Sequence, residues 1–180
     1  MPVVTTSIRL INLADARAIA EHLVRDAEAT SRWDPARPVE FYTAEGQVKR
    51  IDLLLGQHLV GLTWPGVIVS GDVVIGQVTV TGILRGPFQK GFLGYWVASS
   101  FQNNGHATRA VGLALQVMKN ELGLHRAEAF AQVENIASNK VLEKNGFTKW
   151  GFAQSHTYIA GEWRDEVFWE QTLAIEPPPL

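Results

Sequence analysis

The 180-residue sequence contains no cysteine. This absence excludes disulfides, thiolate metal ligands and any mechanism that passes through a cysteine acyl-enzyme. No apolar run approaches the roughly 18 residues that indicate a membrane span, and the first residues lack the basic-then-apolar pattern of a signal peptide. The net charge of −2 provides no excess of positive charge for binding nucleic acid. We therefore expect a cytoplasmic protein without a direct nucleic-acid or membrane partner.

Hydrophobic residues make up 46% of the chain, which is typical of a globular protein with one core. No linker or repeat divides the sequence, so we predict one domain over residues 1–174 and a proline-rich tail over 175–180. Predicted helices span 12–29, 43–55 (stopped by Gly56) and 136–144, and another follows residues 102–108 and ends at Gly123. Predicted strands span 67–69, 73–84, 92–97, 126–133, 148–158 and 164–173. This order is typical of an α/β (α+β) fold with a mixed sheet.

The segment 102–108, Gln-Asn-Asn-Gly-His-Ala-Thr, lies between a strand-like run and a long apolar-periodic helix. The first N–H groups of a helix have no intrahelical partner, and the helix dipole makes them a site for an anion. The segment is not a Walker A loop, because no Gly-Lys-Ser/Thr follows, and it has one glycine where a dinucleotide-binding fingerprint needs three. We therefore predict that it binds a phosphate group of another kind.

A second motif covers residues 135–147 and follows the strand-like residues 126–133. Asn135 is a good N-cap for the predicted helix, and Gly146 is a good left-handed residue for ending it. Phe147 then anchors the next strand in the core. Neither this motif nor segment 102–108 identifies a protein family alone, but the two motifs together do.

The order Gln-x-x-Gly-x-Ala in segment 102–108 resembles the pyrophosphate-binding loop of the GCN5-related N-acetyltransferases (GNAT), and residues 135–147 resemble the second signature of that family. The resemblance implies acetyl-coenzyme A as cofactor. It also implies the GNAT fold, in which helices flank a mixed, mostly antiparallel sheet and two strands splay apart at the cofactor site. Further stretches resemble the RimJ/RimL branch, with RimJ the closer match through Arg-Gly-x-Phe and Gly-x-Trp-Arg-Asp: 43–47, 84–88, 93–97, 124–126 and 159–167.

The resemblance also implies which residues bind the cofactor. A main-chain N–H near Val97 would polarise the thioester carbonyl as an oxyanion hole. Tyr95 and Trp96 point to opposite faces of their strand, so only one can face the substrate, and Trp96 is either a site residue or a core aromatic. The implied cofactor-binding residues are Trp96, Val97, Ala98, Gln102, Asn103, Asn104, Gly105, His106, Ala107, Thr108, Asn135 and Ser138.

In the residues for proton transfer, the sequence departs from the family pattern. RimL-type enzymes use a glutamate base on the second-last strand, and Thr157 occupies that position here. An α-amino group has a pKa of about 7.7–8.0, so a strong base is optional. His156 is either a base or a partly exposed strand histidine, and Glu134 is either a base or a solvated carboxylate. Ser138 matches the family serine that hydrogen-bonds or protonates the leaving thiolate, or it only caps its helix.

The same resemblance implies the acceptor, the α-amino group of a ribosomal protein with N-terminal alanine. Without cysteine or a Gly-x-Ser-x-Gly elbow, direct attack in a ternary complex remains as the mechanism. The alternatives are a small-amine acceptor, such as a polyamine or an antibiotic, and a non-catalytic coenzyme A-binding, ribosome-associated module. The five histidines lack metal-ligand spacing, so we expect no metal, and we expect a monomer or a homodimer.

Overall fold

The computed structural model describes residues 5–173, and they contain one seven-stranded sheet of order β1-β2-β3-β4-β5-β7-β6. Only β4 and β5 pair in parallel, and every other neighbouring pair is antiparallel. The strands are β1 Thr6–Leu10, β2 Trp64–Ser70, β3 Val73–Leu84, β4 Lys90–Val97, β5 Arg126–Gln132, β6 Thr148–Ile159 and β7 Glu162–Thr172. The mixed, mostly antiparallel sheet confirms the predicted fold class. The predicted tail at 175–180 lies outside the described residues.

Within the described residues, four α-helices cover the two faces of the sheet: α1 Ala16–Thr30, α2 Ala44–Leu59, α3 His106–Gln116 and α4 Ile136–Lys144. Helices α1 and α2 pack on one face, where Ile19 and Ile51 join Val67 in one buried cluster. Helices α3 and α4 pack on the other face with the larger core, to which Ile68 contributes. Consecutive residues of β2 thus enter different cores, which is why this strand is apolar without alternation. No helix within residues 5–173 has the length and apolar character to cross a membrane.

Two sequence predictions are corrected by the structure. The short strand β1 was not predicted, because it lies at the sheet edge and has a weak alternation of its own. The predicted stop of α2 at Gly56 is wrong, because the helix continues to Leu59. Its end is formed instead at Gly61, which has φ +73°, and the Leu62 N–H donates to the Gln57 carbonyl at 3.0 Å. The predicted hairpin at residues 70–72 is confirmed.

Strands β4 and β5 are paired only at one end. Their register runs over residues 90–92 and 126–128, and the strands then separate. At the paired end the Glu128 carboxylate, 5% exposed, accepts from Lys90 Nζ at 3.0 and 3.1 Å and from Arg126 Nε at 2.7 Å. Arg126 also forms an ion pair with Glu170 on β7. This network connects β4, β5 and β7 just below the point where β4 and β5 diverge.

We predict that Glu128→Ala lowers the free energy of unfolding by about 3 kcal/mol, because it leaves the partly buried Lys90 without a carboxylate and Arg126 with Glu170 alone. Urea unfolding followed by circular dichroism measures the change. The matched control is Glu21→Ala, which removes an exposed ion pair with Arg17 on α1 and should cost less than about 1 kcal/mol. Equal losses in the two variants would contradict the importance of the buried network.

Candidate active site

A cavity of about 1110 Å³ occupies the gap between β4 and β5 and opens towards both faces of the sheet. On the side of α3 and α4 it is lined by the residues of the predicted phosphate loop and of the second motif. On the side of α1 and α2 it is lined by the loop after α1, by Arg50 and by Gln77. The β6–β7 hairpin contributes residues that include His156 and Tyr158. We call these the cofactor half and the acceptor half of the cavity.

The edge of β4 that faces the gap carries main-chain groups without a partner on β5. Ala98 N–H donates to the Ile75 carbonyl on β3 at 2.8 Å. Because the main-chain groups of an antiparallel strand alternate in direction, those of Tyr95 and Val97 point away from β3 and into the gap. The Val97 carbonyl accepts from Gln102 Nε2 at 2.9 Å, whereas the Val97 N–H remains directed into the gap. It is therefore placed to donate to an oxygen bound there.

The loop at 102–108 exposes the main-chain donors of α3. Gly105 is the N-cap, with φ +81°, and among residues 5–173 no side chain caps this helix end. The first helical hydrogen bond joins Arg109 N–H to the Gly105 carbonyl at 3.0 Å, so the N–H groups of residues 106–108 precede the helical ladder. Lys140 and Lys144 of α4 line the same half of the cavity. Main-chain donors, helix dipole and two ammonium groups together favour a polyphosphate.

The side chain of His106 has a structural role. It is 4% exposed and lies 2.9 Å from Thr6 Oγ1 on β1, with Nδ1 as the ring atom in contact. Burial lowers the pKa of His106 from its ordinary value, so the ring is held neutral. Its main-chain N–H, rather than its imidazole, is the group available at the loop.

Asp26 of α1 holds the start of the same loop and was not predicted from the sequence. Its carboxylate accepts from Ser99 N–H at 2.7 Å and from Ser99 Oγ at 2.5 Å, and it is 6% exposed. The contact joins residues 73 positions apart, so no local pattern could have predicted it. It fixes the chain where it leaves β4 for the phosphate loop.

Ser138 and Tyr95 meet across the cofactor half. Asn135 caps α4 by accepting from Ser138 N–H at 3.0 Å, and this places Ser138 in the first turn. The Tyr95 hydroxyl lies 3.0 Å from Ser138 Oγ and 3.1 Å from the Ser138 carbonyl. Burial raises the pKa of Tyr95 to about 12, against a smaller opposite effect of Ser138, so the phenol is a donor at neutral pH. Trp96 instead points to the acceptor half, where Nε1 donates to Gln77 Oε1 at 3.3 Å.

His156 is paired with a buried carboxylate that the sequence analysis missed. His156 Nδ1 lies 2.6 Å from Glu166 Oε2, and Glu166 is 4% exposed. An irregular register between Ala153 and Thr157 shifts β6 at this point, and Ser155 has φ +50°. The sequence predicts that these two strands form a hairpin. It does not predict the bulge, which changes which side chains of the two strands face each other. The carboxylate therefore orients the imidazole within the cavity wall.

Most of the predicted site residues come together in this cavity, and three do not line it. Ala98 is buried beneath the β4 edge, and Asn104 Nδ2 closes the loop on the Gln102 carbonyl at 3.1 Å. Glu134 is 71% exposed and faces Arg164 at 3.7 Å, outside the cavity wall. Thr157, at the position of the RimL-type glutamate, does line the cavity. Within residues 5–173 no group of three or more histidines and carboxylates is arranged to hold a metal ion.

Comparison with known proteins agrees with this geometry. The family described as the acetyltransferase (GNAT) domain matches residues 6–148. The chain belongs to the GNAT family of acetyltransferases. It is 33% identical to the probable N-acetyltransferase YjcK of Bacillus subtilis, over 97% of this chain and 95% of that protein.

Two solved structures of GNAT proteins have the same fold as this one. The ribosomal-protein-S5-alanine acetyltransferase from Vibrio fischeri superposes with a TM-score of 0.91 and 33% identity, over 96% of each chain. Mycobacterium smegmatis RimJ, in complex with CoA-disulfide, superposes with a TM-score of 0.91 and 27% identity, over 95% of this chain and 83% of that one. This protein is thus an acetyl-coenzyme A-dependent N-acetyltransferase of the RimJ/RimL group.

The residues of the cofactor half fit coenzyme A. The exposed donors of residues 106–108 suit its pyrophosphate, and the free β4 edge suits an extended arm with amide groups. When bound, the coenzyme supplies an acetyl thioester, whose carbonyl needs a donor such as Val97 N–H.

We predict that Asn103→Asp weakens coenzyme A binding about tenfold, or about 1.4 kcal/mol, because it places a carboxylate in the phosphate loop without changing the size of the side chain. Asn103 has φ +62°, a conformation that aspartate also tolerates. Titration calorimetry measures the Kd. Asn120→Asp, at an exposed site in the segment that follows α3, is the control and should leave the Kd unchanged. An unaltered Kd in Asn103→Asp would show that the phosphates bind elsewhere.

Proposed function

We propose that this GNAT enzyme acetylates the α-amino group of a protein N-terminus, in particular of a ribosomal protein that begins with alanine. The similarity to the S5-alanine acetyltransferase of Vibrio fischeri over nearly the whole chain supports this acceptor. The observation that carries the proposal is the shared gap, in which a cofactor half and an acceptor half meet at the free edge of β4. An amine in the acceptor half can then attack a carbonyl held at Val97 directly. A ribosomal acceptor would place the reaction in the cytoplasm.

The cofactor-binding part of the proposal assigns the pyrophosphate to the main chain of Gly105, His106, Ala107 and Thr108. Gln102 and Asn103 form the wall of the same loop, and Asn104 shapes it from outside the cavity. Val97 N–H serves the carbonyl, with Ala98 anchoring the strand to β3. Asn135 supports the position of Ser138. Trp96 forms the border with the acceptor half rather than a contact with the phosphates.

His156 is the proposed base. Glu166 is buried and lies against His156 Nδ1, which makes Nδ1 the donor and leaves the Nε2 lone pair to receive a proton. When the imidazole takes that proton, Glu166 stabilises the resulting cation. His156 lines the cavity, whereas the exposed Glu134 faces Arg164. The His156–Glu166 pair thus takes the place of the glutamate that Thr157 replaces.

Ser138 is the proposed donor to the leaving sulfur. The Tyr95 hydroxyl has one proton, and Ser138 offers it two acceptors, Oγ and the main-chain carbonyl. When that proton lies on Ser138 Oγ, the serine proton is free to point into the gap. The high pKa of Tyr95 keeps this proton in place at neutral pH. As the amide bond forms and the carbon–sulfur bond breaks, the leaving coenzyme A thiolate would accept a hydrogen bond from Ser138.

Acceptor assays test the proposed function. Purified protein is incubated with acetyl-coenzyme A and with peptides that begin with Ala, Ser or Met, and products are identified by mass spectrometry. We expect acetylation at the α-amino group, with the alanine peptide preferred, and no product from a polyamine. If only polyamines or antibiotic amines give products, the proposed protein acceptor is wrong. If the protein binds the coenzyme but gives no product, it is not an acetyltransferase.

We predict that His156→Gln lowers kcat about a hundredfold at neutral pH, at the lower end for a general base because the α-amine is easily deprotonated. Glu166→Gln should lower kcat less, because it can still accept from Nδ1 but carries no charge. Glu134→Gln is the control and should change kcat less than about twofold, since its side chain is outside the cavity. If all three variants turn over like the wild type, His156 is not the base and water takes its place.

A further inference from the structure

The acceptor half contains a cluster of hydrogen-bond donors that the reaction described above does not use. Gln77 of β3 is 3% exposed and lines the cavity. Its Oε1 accepts from Arg50 Nη1 and from Trp96 Nε1, each at 3.3 Å. Both neighbours can only donate, so the oxygen of the Gln77 amide must face them. The amide nitrogen therefore has to point in the other direction.

Gln77 Nε2 is buried and has no hydrogen-bond partner among residues 5–173. A buried donor without an acceptor is costly, and most such groups in folded proteins are satisfied. Trp96 and Gln77 lie on the face of the sheet that carries α1 and α2, whereas the phosphate loop and α4 lie on the other face. The missing acceptor atom is thus expected from a molecule in the acceptor half rather than from coenzyme A.

Arg50 of α2 has the same deficit of acceptors. Its guanidinium contacts the amide oxygens of Gln47 and Gln77, each at 3.3 Å, and lies 5.6 Å from the centre of the Phe41 ring. Within the described residues, no carboxylate forms an ion pair with it. Burial lowers the pKa of Arg50, and the charge of Arg37 lowers it further, but a guanidinium remains protonated. The positive charge is therefore held in the cavity wall without a counter-ion.

Asp34 and Glu166 are the carboxylates that line this half of the cavity, and neither forms an ion pair with Arg50. Burial raises the pKa of Asp34, and the charge of Arg37 opposes that rise. The cation that affects the pKa of Asp34 is thus Arg37. Both hydrogen bonds of Arg50 are made by Nη1, so within the described residues its Nε and Nη2 have no acceptor, and the residue lines the cavity.

We propose that Arg50 and Gln77 bind an oxygen of the acceptor, namely the carbonyl or carboxylate oxygen on the carbon next to the one that bears the reactive amine. The inference rests on the proposed function and assigns the recognition of its α-amino acyl acceptor to these two side chains. Nη of Arg50 and Nε2 of Gln77 would donate hydrogen bonds to the two lone pairs of one carbonyl oxygen, or to the two oxygens of a carboxylate. A peptide N-terminus and a free amino acid provide such an oxygen, whereas a polyamine does not.

The fixed charge has a second consequence for the amine. The charge of Arg50 disfavours the ammonium form of an amine bound next to it and favours the neutral, nucleophilic form, against the opposite effect of Asp34 and Glu166 in the same half. It also opposes the entry of a molecule with several ammonium groups. The donor pair thus selects for an acyl oxygen and against additional positive charge.

The test compares two acceptors in wild type and variants. One is a peptide that begins with alanine, and the other is the same peptide with its first amide replaced by an alkene, which removes the oxygen without adding charge. We expect wild type to prefer the amide peptide about tenfold to a hundredfold in kcat/KM, the range for a hydrogen bond to a charged group. Arg50→Met and Gln77→Met should each reduce that preference, mainly by slowing the amide peptide, while the KM for acetyl-coenzyme A stays constant.

Two further variants separate recognition from folding. Arg50→Lys retains the charge and should retain part of the preference, even if Arg50→Met unfolds. Arg17→Met removes an exposed arginine of α1 and should change neither acceptor. Equal rates for the two acceptors in wild type would overturn the proposal, as would a rise in the KM for acetyl-coenzyme A in Arg50→Lys and Gln77→Met.

Small acceptors distinguish this inference from the proposed function. Free alanine and alaninamide present a carboxylate and a carbonyl on the same carbon skeleton. If free alanine is acetylated and the peptide is not, the donor pair is supported with a carboxylate as its partner, while the protein acceptor is wrong. If polyamines react as fast as the peptide and Arg50→Met leaves both rates unchanged, both proposals are wrong.

Discussion

Main-chain hydrogen bonds join β4 to β5 only over residues 90–92 and 126–128, and the ion pairs of Glu128 hold that end together. Everything in the site depends on the separation that follows. If the two strands continued to pair, the Val97 N–H would be used within the sheet, and no cavity would connect its two faces. Among the strands of residues 5–173, this pair is also the one parallel pair in an otherwise antiparallel order. Pairing at one end and separation at the other give the enzyme both a rigid sheet and an internal gap.

The two halves of the gap have different chemistry because they are built from different elements. In the cofactor half, the donors are mainly main-chain N–H groups at a helix end, which need no particular side chain and suit a phosphate. In the acceptor half, the donors are the side chains of Arg50 and Gln77, which helix α2 and strand β3 hold beneath the loop after α1. His156 and Glu166 reach this space from the β6–β7 hairpin. The first half can therefore tolerate sequence change, whereas the second depends on individual residues.

Hydrogen bonds between residues far apart in the sequence connect the cofactor half and the acceptor half of the cavity. Asp26 belongs to a helix on the acceptor side, yet its carboxylate holds Ser99 at the start of the phosphate loop. Tyr95 extends from the β4 edge to Ser138 in the first turn of α4. Each of these contacts satisfies polar groups that would otherwise be buried without a partner. They explain how a loop of seven residues keeps one arrangement beside a large cavity.

Patterns within short segments made the helices, the β2–β3 hairpin and the phosphate loop predictable. Asn135 and Thr43 could be recognised as caps because a cap bonds within three residues of itself. The stop at Gly56 failed for the same local reason, since Gly56 tolerates the helical conformation and only Gly61 adopts the left-handed one. Strand β1 was missed because edge pairing with β2 forms it, and its own residues alternate weakly.

The amino-acid sequence was sufficient to establish the family and the cofactor class and to predict the residues of the phosphate loop, because these depend on motifs whose members lie close together along the chain. Only the folded chain decided which carboxylate orients His156, which hydroxyl meets Ser138, and which cation lines the acceptor half. Those contacts join residues between 10 and 73 positions apart. Their geometry comes from strand register, bulges and helix packing, and each of these is set by the burial of many residues together rather than by any local pattern.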